Sequence, residues 1–441
     1  MIQLSDHFNY ARLLRFTLPS IVMMIFTSIY GVVDGFFVSN FVGKTPFTAV
    51  NFIMPFLMIL GAIGFMFGAG GSALISKTMG EGNREKAQEL FSLFVRVTLI
   101  CGVVIAVLGF VFVRRIAAAL GAEGELLDNC VLYARVILPA LPAYMLQFEF
   151  QSFFVTAEKP QLGLYMTLAA GLTNIVLDAL LVAVIPFGLV GAAAATAISQ
   201  CVGGVIPLIY FSRPNSSLLR LVKAPFDGRS LLQACANGSS ELLSNVSMSL
   251  VGMLYNVQLM RYAGEDGVAA YGVLMYVNLV FLAAFIGYSV GTAPVIGYHY
   301  GAGNHEELKG LLKKSLILIG IFSVSMFVAA EILARPLSML FVGYDQQLLE
   351  LTLRGFLLYS FSFLFAGLAI FGSSFFTALN NGLVSAIMSF LRTLVFQAAA
   401  VMLLPLIWEV DGIWLSIVGA ELMAALVTVV FLVTMRKKYQ Y

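Results

Sequence analysis

Charge is scarce in this sequence. Asp, Glu, Lys and Arg make up 11% of its 441 residues, where a soluble domain carries about a quarter. That excludes a cytosolic enzyme, a coiled coil and a disordered chain. The cysteines Cys101, Cys130, Cys201 and Cys235 form no C-x-x-C pair, so there is no disulfide scaffold, and three histidines make no metal cluster. Such cysteines read as small apolar core residues. There is no G-x-x-x-x-G-K-[ST], no G-x-S-x-G and no H-E-x-x-H, so no enzyme or cofactor signature is found. A net charge of +2 with scattered basic residues argues against a nucleic-acid partner. What abounds is apolar. Hydrophobic residues reach 60% and mean hydropathy is +0.94. Folding alone cannot hide such a surface from water, so the solvent is the lipid bilayer.

About twelve runs meet the roughly 20-residue length of a spanning helix, which predicts an all-α membrane protein. Asp6, Arg12 and Arg15 lead straight into the first run without a small-residue cleavage site, so that helix is expected to insert and stay. Pro19, Pro55, Pro139, Pro142, Pro207 and Pro294 lie inside runs and predict bends. Sixteen of the 25 Lys and Arg residues fall in connections on one side, five on the other and four (Arg96, Arg135, Arg354 and Arg392) within helices. The positive-inside rule then puts both termini in the cytoplasm.

The chain repeats itself. Gly80, Gly82, Asn83 and Glu85 in "MGEGNREK" match Gly301, Gly303, Asn304 and Glu306 in "YGAGNHEE", an offset of 221. The same offset relates Gly70 to Gly291, Thr156-Ala157 to Thr377-Ala378 and Gly191 to Gly412. Six spans fit in that interval, so the halves share one orientation and are related by an axis along the membrane normal. Transporters built from such repeats bind substrate between them. The expected division is an N-lobe over 1–212, a linker over 213–229 with Pro214 and Pro225, and a C-lobe over 230–441.

Ionisable groups inside spans are functional candidates. The acidic ones are Asp34, Glu149, Asp178, Glu241, Glu331 and Glu421. Asn174 and Asp178 stand at i and i+4 on one face of the fifth helix. Asp34, Asp178 and Thr196 all lie roughly 10–12 Å below one membrane surface, at 1.5 Å per residue. Two carboxylates, an amide and a hydroxyl at one depth suit a proton relay or an oxygen-lined cation site, or hydrogen bonds that lock helices. Glu149 either lines a cavity or pairs with a neighbour such as Gln151. Glu241 is the clearest carboxylate of the second half, as a substrate or coupling group. Arg392 and Glu421 read as a structural ion pair. Glu331 is expected to snorkel beside Arg335, and His299 and His305 to be solvated in a loop. Met253, Tyr255, Asn256, Gln258, Met275, Tyr276 and Asn278 offer soft or polar contacts for a bulky cation, or simply core and lipid packing. No soluble segment is long enough for an ATPase, so transport would run on an ion gradient. One proton crossing 100 mV and one pH unit could sustain a gradient of a few hundredfold.

With these features the chain resembles the multidrug and toxic compound extrusion (MATE) family over all twelve spans. The resemblance rests on the 6+6 repeat, the "MGEGNREKA" and "YHYGAGNHEEL" loops and the "LTNIVLDALL" helix. Asp34 with Asn174-x-x-x-Asp178 resembles the N-lobe site of the DinF branch. The resemblance implies proton or sodium coupling through Asp34, Asn174, Asp178 and Thr196, with a backbone oxygen at Ala192. The NorM branch carries deep acids in the seventh and tenth helices; here the tenth has none and Glu241 sits nearer its helix start. This favours a MepA-like exporter. Further implications are two six-helix lobes in a V, alternating access, and export of cationic amphiphilic drugs, giving antibiotic resistance, by a monomer of the bacterial inner membrane. The rival in transport is a lipid-linked sugar flippase, whose cationic cavity the mixed charge set here disfavours. A membrane-embedded enzyme is disfavoured by the absence of catalytic motifs.

Overall fold

The computed structural model describes residues 2–441. Among the described residues every regular element is helical. The first half holds α1 (Tyr10–Phe41), α2 (Lys44–Gly80), α3 (Arg84–Ala119), α4 (Gly124–Thr156), α5 (Pro160–Val184) and α6 (Gly188–Ser212). The second half opens with one 74-residue helical run, Gly228–Gly301, broken where Gly264 takes φ 67°. At 1.5 Å per residue that run is far longer than a bilayer's hydrocarbon core of about 30 Å. It therefore makes two crossings, α7 (228–263) and α8 (265–301). Then come α9 (His305–Val342), α10 (Gln346–Ala378), α11 (Gly382–Leu403) and α12 (Pro405–Tyr439). The twelve expected spans are all present.

The repeat is written in the backbone as well as in the residues. Left-handed conformations recur at Gly43 and Gly264, at Gly82 and Gly303, at Gly188 and Glu409, and at Glu158 and Asn380. The first three pairs are 221 apart and the last 222. Asn83 caps α3 by accepting from the Lys86 amide, and Asn304 caps α9 by accepting from the Glu307 amide. In α4, Pro139 sits within a 3-10 turn at Leu138–Ala140 and Pro142 follows it in the first turn of the resumed α-helix. In α10 a matching turn at Ser360–Ser362 forms without proline, so the bend belongs to the architecture rather than to proline alone.

Packing separates the two ends of the bundle. One core cluster mixes side chains of both halves, including Phe91 and Phe150 of the first and Tyr288 and Phe375 of the second, near the chain termini. At the far end the cores divide. One contains only first-half residues such as Tyr133 and Leu189, the other only second-half residues such as Tyr255 and Trp414. Two six-helix lobes are thus joined at the end bearing both termini and parted at the other. Glycine makes the junction tight. A methyl group at Gly80 would overlap the carbonyl of Tyr298, and one at Gly301 the carbonyl of Lys77. The lobes therefore meet backbone to backbone across the repeat axis.

Candidate functional site

Helix α1 meets α5 along a face that carries the N-lobe polar groups. A side chain at Gly171 would meet the rings of Phe26 and Tyr30, so α5 approaches α1 one turn before Asn174 and two before Asp178. Opposite stand Tyr30 and Asp34, themselves one turn apart. Asp34 lies within side-chain reach of Asn174, Asp178 and Thr196. The Thr196 hydroxyl is 3.4 Å from Asp34 Oδ1 and also donates to the Ala192 carbonyl at 3.1 Å. Helix α6 is pinned to α5 by the Ser199 hydroxyl, which donates to the Ala170 carbonyl at 2.9 Å. Asp34 is 9% exposed, Asn174 3% and Asp178 0%. The structure therefore brings together Asp34, Asn174, Asp178, Thr196 and Ala192, as the spacing and the resemblance anticipate.

Both Asp178 oxygens are buried without a hydrogen-bond partner. A buried carboxylate is costly unless a proton, a cation or donors satisfy it. The polar group nearest to hand is the Asp34 carboxylate across the α1–α5 seam, an acceptor like Asp178 itself unless one of the two carries a proton. The α-helix also stops at Asp178, and Ala179–Val184 continues as a π-helix. Such bulges loosen the carbonyl ladder and cluster at functional sites. Three aromatic and amide groups complete the pocket. Tyr133 of α4 stands beside Thr196 with its buried hydroxyl unpartnered. Gln147 of α4 stands beside the Tyr30 hydroxyl. The Tyr30-to-Asp34 spacing was a usable signal for the first; Tyr133 and Gln147 carry none in an apolar helix.

The remaining candidates divide. Glu149 is 0% exposed and sits inside the N-lobe near Thr98, with neither oxygen bonded. It does not pair with Gln151, whose amide is also unpartnered. The C-lobe encloses a cavity of 90 Å³ lined by Tyr255, Tyr271, Met275, Asn278, Arg392 and Glu421. Tyr255 and Tyr271 are stacked at 5.1 Å. Drug-sized pockets run to about 300–1,000 Å³, so in this state the cavity suits a substituent or a few waters. Arg392 holds Glu421 with contacts of 2.9–3.1 Å, the expected ion pair. Glu241 lies near Arg392 rather than in the cavity lining. Gln258 is committed elsewhere, donating to the Val401 carbonyl at 2.9 Å. Met253 and Tyr276 are exposed and lie apart from the buried candidates.

The readings of Glu331 and His299 need correction. Glu331 accepts from the Ser360 hydroxyl instead of snorkelling beside Arg335. Arg354 lies within helix α10 as expected, mostly exposed, and pairs with Asp411 through bonds of 2.8 and 2.5 Å. His299 is not a solvated loop residue but lies in α8, 3% exposed, against the ring of Phe8. The sequence could not show that residues ahead of α1 fold back over it.

Known proteins share this architecture. The curated multidrug export protein MepA of Staphylococcus haemolyticus (strain JCSC1435) is 29% identical over 365 residues, covering 81% of this chain and 80% of its own. The MepA protein of Staphylococcus aureus (strain MRSA252) is 25% identical over 434 residues, covering 97% and 94%. A solved structure described as the outward-facing conformation of a multidrug resistance MATE family transporter superposes with a TM-score of 0.93 at 21% identity, over 98% of this chain and 97% of that one. That likeness supports the fold. The MatE family model matches residues 19–180 and again 242–403, once in each lobe, and the chain belongs to the MatE family.

Proposed function

We infer that the protein is a cation-coupled antiporter that exports cationic amphiphilic compounds by alternating access. The observation that carries this reading is the Asp34–Asp178 pair, two buried carboxylates in mutual reach with no other donor found for the Asp178 oxygens. In the state with the far end open, the pocket takes up H⁺ or Na⁺. Oxygen donors are what a hard cation needs, and Asp34, Asp178, Asn174, Thr196 and the Ala192 carbonyl supply them. Loading draws α1 toward α5 and favours drug release. When the termini-bearing end opens, the cation leaves and a drug binds. Each ligand drives the cycle only through unequal affinity for the two states. The excess of basic residues at the termini-bearing end supports placing that end in the cytoplasm of a bacterial inner membrane. The relatives named multidrug export proteins support the substrate class.

The test is ethidium efflux from sealed vesicles with proton and sodium gradients imposed separately. Efflux driven by one gradient and lost in Asp178→Asn supports the reading and identifies the cation. Folded, inserted protein that moves no ethidium under either gradient overturns it and favours a lipid-linked substrate.

A further inference from the structure

Two segments at the termini-bearing end dock crosswise on the opposite lobes. Residues 2–9 lead into α1 of the N-lobe, where the Leu4 amide donates to Glu158 at 2.6 Å, and from there reach across to the C-lobe. Leu4 and Phe8 are fully buried. Glu307, in the first turn of α9, accepts from the Phe8 amide at 2.8 Å and lies 2.6 Å from His7 Nδ1. Lys314 Nζ donates to the Phe8 carbonyl, and the Phe8 ring stands edge-on to His299. Residues 213–227 lead into α7 of the C-lobe yet seat on the N-lobe. Leu219 is fully buried, the Val222 amide donates to Ser92 Oγ at 2.8 Å, and Arg96 donates to the Ala224 carbonyl at 3.1 Å. Asp227, the N-cap of α7, meets Lys86 in the first turn of α3 at 3.1 Å.

The repeat relates these two attachments. Asp227 stands 221 residues after Asp6, beside His7, and Glu307 stands 221 after Lys86. Acid and base have changed places, but each contact ties the start of one lobe's first helix to the start of the other lobe's third. Parting the lobes at this end moves α3 away from α7 and α9 away from α1, which breaks both contacts. We propose that these crossed straps are the latch of the termini-bearing end, and that both must lift before the lobes part there. The inference rests on the two-state cycle given above.

The test reads exposure of the lobe junction directly. Thr17 of α1 is buried against Gly291 of α8, so Thr17→Cys reports opening there. The background carries alanine at the four native cysteines, and the protein is held in lipid nanodiscs. The rate of alkylation by a water-soluble maleimide is measured without substrate or gradient. Lys86→Met with Glu307→Gln should raise the rate about tenfold, the factor expected when charge-assisted bonds are lost. Each single variant should raise it less, and Lys86→Arg should leave it at the parent rate. An unchanged rate in the folded double variant overturns the latch. Exposure that follows the straps in protein moving no ethidium would sink the antiport reading and keep the latch. Normal efflux with an unmoved reporter would sink the latch alone.

Discussion

Asp178 faces the Asp34 carboxylate, and Asp34 has the Thr196 hydroxyl 3.4 Å away. Like charges this close repel unless a cation or proton joins them. Asp34→Asn and Asp178→Asn should each abolish gradient-driven efflux, with membrane insertion unchanged on immunoblots of the membrane fraction. Thr196→Val should act more gently. It removes one neutral hydroxyl, a net contribution of about 1 kcal/mol, so the cation concentration for half-maximal efflux should rise about fivefold. In the C-lobe the Arg392–Glu421 pair is nearly enclosed, at 16% and 3% side-chain exposure. Glu421→Gln strands a guanidinium in the interior, which costs about 3 kcal/mol and should lower the thermal midpoint in detergent. Arg392→Met with Glu421→Leu should recover most of that loss. The buried N-lobe cluster of Asp34, Asn174 and Asp178 was legible in the sequence because a carboxylate in an apolar run stands out and i, i+4 spacing fixes its face. Tyr133 and Gln147 were not, since contact with Thr196 and Tyr30 depends on how α4 is turned against its neighbours.

Helices keep their caps where the loops meet water. The Asp227 carboxylate accepts from the Ser230 hydroxyl at 2.7 Å and the Ser230 amide at 3.1 Å. Those bonds and Lys86 hold its carboxyl down at about 2. A lowered value contributes stability above the unfolded value, and that stability is lost as pH falls toward 2. The cap on α7 therefore stays intact from pH 7 to about 5, and a transport change in that range belongs to another group. Asp227→Ala should lower stability by about 1 kcal/mol, the usual loss with an N-cap, seen as a lower thermal midpoint at pH 7 that narrows toward pH 3. At this scale the sequence was most readable. Gly-Asn recurs before α3 and α9 at an offset of 221, which announced the equivalence of two turns that the structure shows to be Asn-capped. The π-helical end of α5 was not readable, because "DALLVAV" is as apolar as its surroundings and the change lies only in which carbonyl each amide reaches.

The lobes share one core at the termini-bearing end and keep separate cores at the other. Twelve spans and their pairing into lobes follow from hydropathy and the repeat, but which end is closed does not. One sequence must serve both states, so its pattern carries no record of which is occupied. The junction records it instead. Gly70 lies against the Ala234 carbonyl, Gly238 against the Met66 carbonyl, and Gly80 and Gly301 against carbonyls of the facing helix, all toward the termini-bearing end. Asn380 strengthens the same region, donating to the Ala73 carbonyl at 3.0 Å and accepting from Asn237 at 2.7 Å. In the antiport cycle proposed above, these close approaches belong to the state with the far end open. Bulk placed there should penalise that state without touching either polar pocket. Gly80→Leu with Gly301→Leu forces two helices apart where a single methyl already overlaps backbone, and interiors cannot absorb that volume by yielding smoothly. If the lobes pivot as units, the far ends must approach as this end parts. Spin labels at Asn40 and Arg261, at the far ends of α1 and α7, should then report a shorter distance in the double variant than in the parent. An unchanged distance in folded protein would mean that the helices bend individually, and the pivoting-lobe description would have to be given up.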